Sequence, residues 1–250
     1  MRWDFVDSVY QERSYREKTR GHDLIEQTII QNESDLQIYS DRPLVDKADE
    51  ILRSARGVIE AYIAEKPDFE KSLEPISCDV NAHEIIQNMI SASKLANVGP
   101  MAAIAGAISQ TVGESLVGES LDKLQNILIE NGGDIYLQST VERRILIHAG
   151  TSPLNEKIAI RIKPEMTPCG ICTSSGTVGH SLSFGNADAV VVISKNTFLA
   201  DATATAIGNE VKNQNDIEKG IAYGKAIEGI DGILIIVADK IGAWGNIEIC

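Results

Sequence analysis

Residues 187–208 read ADAVVVISKNTFLADATATAIG, and the change of pattern inside this stretch decides the fold class. Ala187 to Ser194 is a near-continuous apolar run of strand length, rich in valine, as expected of a strand buried on both faces. From Asn196 to Gly208 the valines give way to alanine, leucine and spaced threonine, and a helix is expected. Downstream, Asn215 to Glu228 reads as another helix and Gly232 to Ala238 as a second buried strand. Upstream, strands are expected at Ile127 to Ile129, Asp134 to Leu137, Arg143 to His148 and Lys157 to Ile162, joined by glycine turns and Ser152-Pro153.

Further toward the start, Leu24 to Gln31 and Leu36 to Tyr39 form an expected antiparallel pair around the turn-like Asn32-Glu33-Ser34-Asp35. Leu44, Ala48, Ile51, Ala55, Val58 and Tyr62 recur at helical spacing, with Pro67 beyond the end. Asn81 followed by Glu84 has the spacing of a capping box, opening a helix through Ile85, Ile86, Met89 and Ile90 that stops near Asn97 to Pro100. The run from Gly99 to Ile108 is nearly all small residues, with proline placed for a first helical turn. Such a helix approaches another backbone or a ligand closely, and tight packing is the commoner use. Helices and strands mix without strict alternation, so the expected fold is α+β, with mixed or antiparallel sheets packed against helices. No linker divides residues 1–250, which are expected to form one domain.

The chain has 250 residues, 43% hydrophobic and 24% charged, an ordinary globular composition. Its formal net charge of −13 argues against a nucleic-acid or anionic-membrane partner, so any anionic ligand must be held locally. The longest weakly polar stretch, Val98 to Val112, is shorter than the roughly twenty residues that cross a bilayer. The first twenty residues carry charges throughout and no apolar h-region, and the expectation is a cytoplasmic protein. Four cysteines (Cys78, Cys169, Cys172 and Cys250) are then expected to be reduced.

Three segments could carry chemistry. Gly132-Gly133, followed by Asp134, is on its own a turn into a strand. Thr173, Ser174, Ser175, Gly176 and Thr177 combine hydroxyls with backbone N–H groups able to converge on phosphate oxygens, although a hydroxyl-rich surface turn explains them equally well. Asp201 and Thr205, four apart on the expected helix, project oxygens from one face, and one Mg²⁺ could take both. Asp201 could instead offset a helix dipole. His180, just after the hydroxyl-rich segment, is a general base, a phosphate contact or a structural residue on equal terms; His22, His83 and His148 read as structural.

The order of these segments, Asn131-Gly-Gly-Asp134, the Thr-Ser-Ser-Gly loop, His180, a valine-rich strand and Ala200-Asp201-x-x-x-Thr205-Ala206, resembles the ApbE-like superfamily of FAD:protein FMN transferases. Glu12-Arg-Ser-Tyr-Arg, Val98-Gly-Pro-Met-Ala-Ala and Cys172-Thr-Ser-Ser-Gly-Thr-Val-Gly-His180 look like a leaderless, mainly prokaryotic branch of it. The resemblance implies an α+β core that binds FAD with Mg²⁺, Asp201 and Thr205 holding the metal together with a backbone carbonyl near Ala102. It also implies transfer of FMN to a serine or threonine of a protein acceptor. Cation stabilisation of phosphoryl oxygens is what such chemistry requires. Gly132, Gly133, Asp134 and residues 173–177 would meet the nucleotide, and His180 would be catalytic.

This chain departs from the pattern after the histidine: related transferases carry Asp-Pro-x-Thr-Gly there, whereas His180 is followed by Ser181-Leu-Ser-Phe-Gly185. Cys169-Gly-Ile-Cys172 lacks the two further ligands of a zinc site and does not head an expected helix as a thioredoxin dithiol would. Cys172 borders the N–H-rich turn, which would stabilise its thiolate, and some members of this branch are associated with anaerobic sulfur assimilation. A persulfide relay through Cys172 is the second expectation, and a non-catalytic ligand-binding subunit the third. A homo-oligomer is left open.

Overall fold

A computed structural model describes residues 23–119, 124–176 and 185–250. Eight strands form one sheet in the order β1 (Ile25–Gln31), β2 (Ser34–Ser40), β3 (Ile127–Asn131), β4 (Asp134–Gln138), β7 (Cys169–Ser174), β8 (Ala189–Ser194), β9 (Ile230–Val237) and β10 (Lys240–Gly245). All neighbouring pairs are antiparallel. A separate ribbon, β5 (Arg143–Leu146) with β6 (Ala159–Ile162), covers one face. The helices α1 (Val45–Glu65), α3 (Glu84–Leu95), α4 (Ile104–Gly118), α5 (Thr197–Glu210) and α6 (Ile217–Lys225) cover the other, with the single turn α2 (Asp68–Lys71) after α1.

Strand periodicity divides the apolar side chains between two cores. Ile127, Ile129, Tyr136, Val190, Val192, Ile233 and Ile235 point to the helices. Leu128, Ile135, Leu137, Val191, Ile193, Leu234 and Ile236 point to the ribbon. Because both faces are covered, β8 reads as an unbroken apolar run even though its pairing is antiparallel. The fold is α+β, as expected.

Several boundaries moved. The first hairpin turns at Asn32-Glu33 alone, Asn32 taking a left-handed φ of 50°. The capping box expected from Asn81 to Glu84 is absent: α3 begins at Glu84, and His83 caps it, its Nδ1 accepting the Ile85 N–H at 3.3 Å. Cys169 to Ser174, read as part of a loop, is a central strand. Pro100 opens a short 3₁₀ turn that leads into α4. In α5 nearly every residue from Thr197 to Gly208 is buried, so this helix is the centre of the helical layer.

Candidate functional site

The site forms where α4 and α5 begin. Gly106 lies in the first turn of α4, and a Cβ there would sit 2.4 Å from the Thr197 carbonyl oxygen and 2.8 Å from the Asp201 Cβ. The small-residue run thus brings two helix backbones close together. At this crossing the helices cap one another. Gln110 Oε1 of α4 accepts the Thr197 N–H at 2.6 Å, and Asp201 Oδ2 of α5 accepts the Gly106 N–H at 2.8 Å, with the Ala105 N–H as a second donor.

The β3–β4 hairpin reaches the same point. Gly132 and Gly133 turn with φ of 67° and 103°, a region that suits glycine, and the Gly133 N–H is held by Glu130 Oε1 at 2.7 Å. The turn leaves Asn131 and Asp134 as a cross-strand pair, and Asn131 Nδ2 donates to the Ala105 carbonyl at 3.3 Å. Asp134 extends β4 opposite β7, where its carboxylate takes a hydrogen bond from the Thr173 N–H and lies beside the Cys172 thiol.

Two carboxylates are therefore buried together. Burial pushes Asp201 up to about 7, against the pull of the Gly106 and Ala105 N–H groups. Asp134 is pushed well above the carboxylate range by burial and then by the Asp201 charge, more than the neighbouring Cys172 thiol and Thr173 N–H offset. Asp134 Oδ1 has no hydrogen-bond partner. Among the described residues no lysine, arginine or histidine forms an ion pair with either carboxylate. Thr205 is half-buried one turn along α5 from Asp201. Magnesium is commonly held by one or two carboxylates with neutral oxygens completing the shell, and this oxygen-only, uncompensated donor set fits it.

The hydroxyl-rich segment differs from the turn read in the sequence. Thr173 and Ser174 belong to β7, and the Gly176 N–H is taken by the Ala187 carbonyl at 2.9 Å. Ser175 and Gly176 follow the strand end, while Thr177 and His180 lie outside the described residues. The thiolate expectation for Cys172 is corrected. Its side chain is fully buried, its Sγ donates to the Thr197 carbonyl at 3.6 Å, and burial plus the Asp134 and Asp201 charges push the thiol well up rather than down. Of the N–H groups expected to face it, that of Thr173 goes to Asp134 and that of Gly176 to the Ala187 carbonyl.

The structure thus joins Gly132, Gly133, Asp134, Cys172, Thr173 and Asp201 around the start of α4. Asn131, which the sequence offered only as the head of the Asn131-Gly-Gly-Asp134 run, and Gly106, signalled only by the small-residue run, join them without having been named as site residues. A cavity of about 420 Å³ lies elsewhere, lined in part by Arg161, Lys163, Lys195 and Glu248. Its basic groups are engaged: Arg161 and Lys163 pair with Glu248 at 3.1 and 2.9 Å, and Lys195 Nζ donates to the Met166 carbonyl at 2.7 Å. None of the residues above lines it. Among the described residues no helix is long and apolar enough to cross a membrane.

A family model described as AbpE bacteria matches residues 17–235. A UPF0280 protein of Methanocaldococcus jannaschii is 39% identical over 224 residues, 88% of this chain and 89% of the relative. One from Methanosarcina acetivorans is 36% identical over 234 residues, 93% of this chain and 88% of the relative. Among solved structures, the apo form of the flavinyl transferase ApbE of Pseudomonas stutzeri superposes with a TM-score of 0.58 at 15% identity, covering 88% of this chain and 93% of that one. The flavin transferase ApbE of Vibrio cholerae gives 0.57 at 14% identity, covering 88% and 96%. At these identities the likeness shows a shared fold.

Proposed function

The chain belongs to the AbpE bacteria family, and on that premise we propose that it binds a flavin dinucleotide such as FAD through Mg²⁺ and acts on the diphosphate as an FMN transferase. The observation that carries this reading is the Asp201 carboxylate, buried and uncompensated at the start of α4 with Thr205 one turn away on α5. The solved proteins that share the fold are flavin transferases by description, which supports the choice of ligand.

Asp201 and Thr205 would hold the cation, which when bound supplies positive charge to the phosphoryl oxygens. This chain's own contribution is positioning. Asp201 is fixed by the Gly106 N–H of α4, so its carboxylate would receive the cation without rearranging. The Gly132-Gly133 turn and the end of β7 at Thr173 to Gly176 form the neighbouring wall against which the dinucleotide would lie, in a protein whose net charge of −13 demands a local counter-charge. In the reaction proposed, an acceptor hydroxyl oxygen bonds to the FMN phosphorus, the bond to the AMP oxygen breaks, and the hydroxyl proton leaves to a base. The acceptor would be a protein serine or threonine and the site of action the cytoplasm.

Calorimetric titration of FAD into the purified protein tests this. Binding in Mg²⁺ and its loss in excess chelator are expected. Equal affinity in both would remove the cation from the site, and FAD binding with no AMP release in the presence of cell extract would reduce the protein to a ligand-binding subunit.

A further inference from the structure

We propose that Asp134 is a ligand of the same divalent cation as Asp201, so that one carboxylate from the β3–β4 hairpin and one from α5 form a cation site that fills before any nucleotide binds. The inference extends the reading of Asp201 as a metal ligand and rests on it.

Three observations converge. First, Asp134 Oδ1 is buried with no hydrogen-bond partner, in a side chain only 7% exposed. A buried polar oxygen left bare costs more than one exposed to water, and native proteins rarely tolerate it unless a ligand satisfies it. Second, among the described residues no lysine, arginine or histidine forms an ion pair with Asp134 or Asp201, so no side-chain cation offsets either carboxylate. Third, both elements are anchored to a single backbone segment: Asp201 through the Gly106 N–H, and the strand partner of Asp134, Asn131, through the Ala105 carbonyl. The two carboxylates are therefore held by the fold and do not depend on a ligand to bring them together.

A hydrogen bond between a protonated Asp134 and Asp201 would be the competing way to reduce the charge, but it would leave no vacancy for a metal. A hard divalent cation satisfies both oxygens at once and accepts two carboxylates with neutral oxygens and water around it. In this arrangement Asp134 serves the cation directly and the nucleotide only through it.

Mn²⁺ alone, without nucleotide, is the probe, titrated into wild type, Asp134→Asn and Asp201→Asn by calorimetry and by the loss of its free electron-spin resonance signal. Wild type should bind one Mn²⁺, and Asp134→Asn should bind at least tenfold more weakly. The melting temperature gained by wild type on adding Mn²⁺ should be lost in the variant, which in chelator should melt no lower than wild type because asparagine, like a protonated aspartate, puts no charge in the buried site. Asp134→Ala, measured in the same way, serves if the asparagine variant does not fold. Unchanged Mn²⁺ affinity in Asp134→Asn with loss in Asp201→Asn would overturn this inference and leave the Asp201 reading standing. Unchanged affinity in both would overturn both. No Mn²⁺ binding by wild type without nucleotide would overturn the preformed site.

Discussion

Asp201 accepts the backbone N–H of Gly106 at 2.8 Å, so the residue with the best claim to a metal also caps a helix through a residue 95 positions earlier in the chain. The two roles make different demands. Capping needs an acceptor oxygen of either charge, whereas a cation needs the carboxylate.

Asparagine separates them. Asp201→Asn keeps an oxygen for the Gly106 N–H and removes the buried charge, and the variant should fold, melt in chelator no lower than wild type, and lose Mg²⁺-dependent FAD binding. Asp201→Ala leaves the helix N–H groups unpaired, at a cost of about 1–3 kcal/mol, and should lose both stability and binding. Thermal melts with paired calorimetry distinguish these outcomes. If Asp201→Asn binds FAD with wild-type magnesium dependence, the residue is a cap and nothing more.

Two helical glycines should respond oppositely to alanine. At Gly106 the new Cβ would fall 2.4 Å from the Thr197 oxygen, so α4 and α5 must separate, costing about 1–3 kcal/mol. At about 2–4 °C per kcal/mol for a chain of this size, the loss is visible in a melt. Cation affinity should fall with it, since Asp201 rides on the same crossing. Gly57, exposed in α1 with nothing near its missing side chain, should gain up to about 1 kcal/mol as alanine. A stable Gly106→Ala with unchanged cation affinity would contradict the close crossing.

The buried carboxylates also set a pH dependence. The folded-state value for Asp201 is about 7, above the usual carboxylate value near 4, so between these limits the folded protein holds a proton that the unfolded chain has released. Stability from this group is therefore largest at low pH and is lost as pH rises through 7. In chelator the wild-type melting temperature should fall between pH 5.5 and 8 more steeply than that of Asp201→Asn, which has no such proton. Saturating Mg²⁺ should restore the wild type most at pH 8. Parallel curves for the two proteins would show that Asp201 titrates normally.

The elements of the site differ in how far sequence exposes them. The helix that carries Asp201 and Thr205 one turn apart was legible because helical spacing is local, and β8 because a strand covered on both faces has no polar side. Strand β7 was not, since Cys169-Gly-Ile-Cys-Thr-Ser carries a glycine and hydroxyls that suggest a turn. It is a strand because β4 and β8 supply hydrogen bonds on either side, and its Gly170 is where Thr197 packs: a Cβ there would lie 2.6 Å from the Thr197 Cα. The burial of Asp134 was equally hidden, because it depends on α4 and α5 closing over the hairpin. The cap at His83 replaced the Asn81 box because the chain between them leaves Asp79 and Asn81 in a turn of their own, with Asp79 Oδ1 accepting the Asn81 N–H at 3.1 Å.

That misreading of β7 bears on the thiols, whose order of reactivity is the last prediction. A turn of free N–H groups would have made Cys172 the most acidic of the four cysteines. In the sheet it is fully buried, donates to the Thr197 carbonyl, and faces two carboxylates that oppose a thiolate. Cys169 is also buried, and its thiol is pushed up to about 12, chiefly by burial. Cys78 and Cys250 are exposed. Only the thiolate reacts with iodoacetamide, so Cys78 and Cys250 should label within the time course of a free thiol at pH 8, while Cys169 and Cys172 label only on unfolding. Peptide mass spectrometry of native and denatured samples reads the four sites separately. Cys172→Ser should leave FAD binding intact, because the sulfur has no step in phosphoryl transfer, and should cost some stability through the more polar hydroxyl in a buried site. Rapid native labelling of Cys172, with loss of function in the serine variant, would restore a sulfur-relay role, since only a thiolate attacks and carries sulfur.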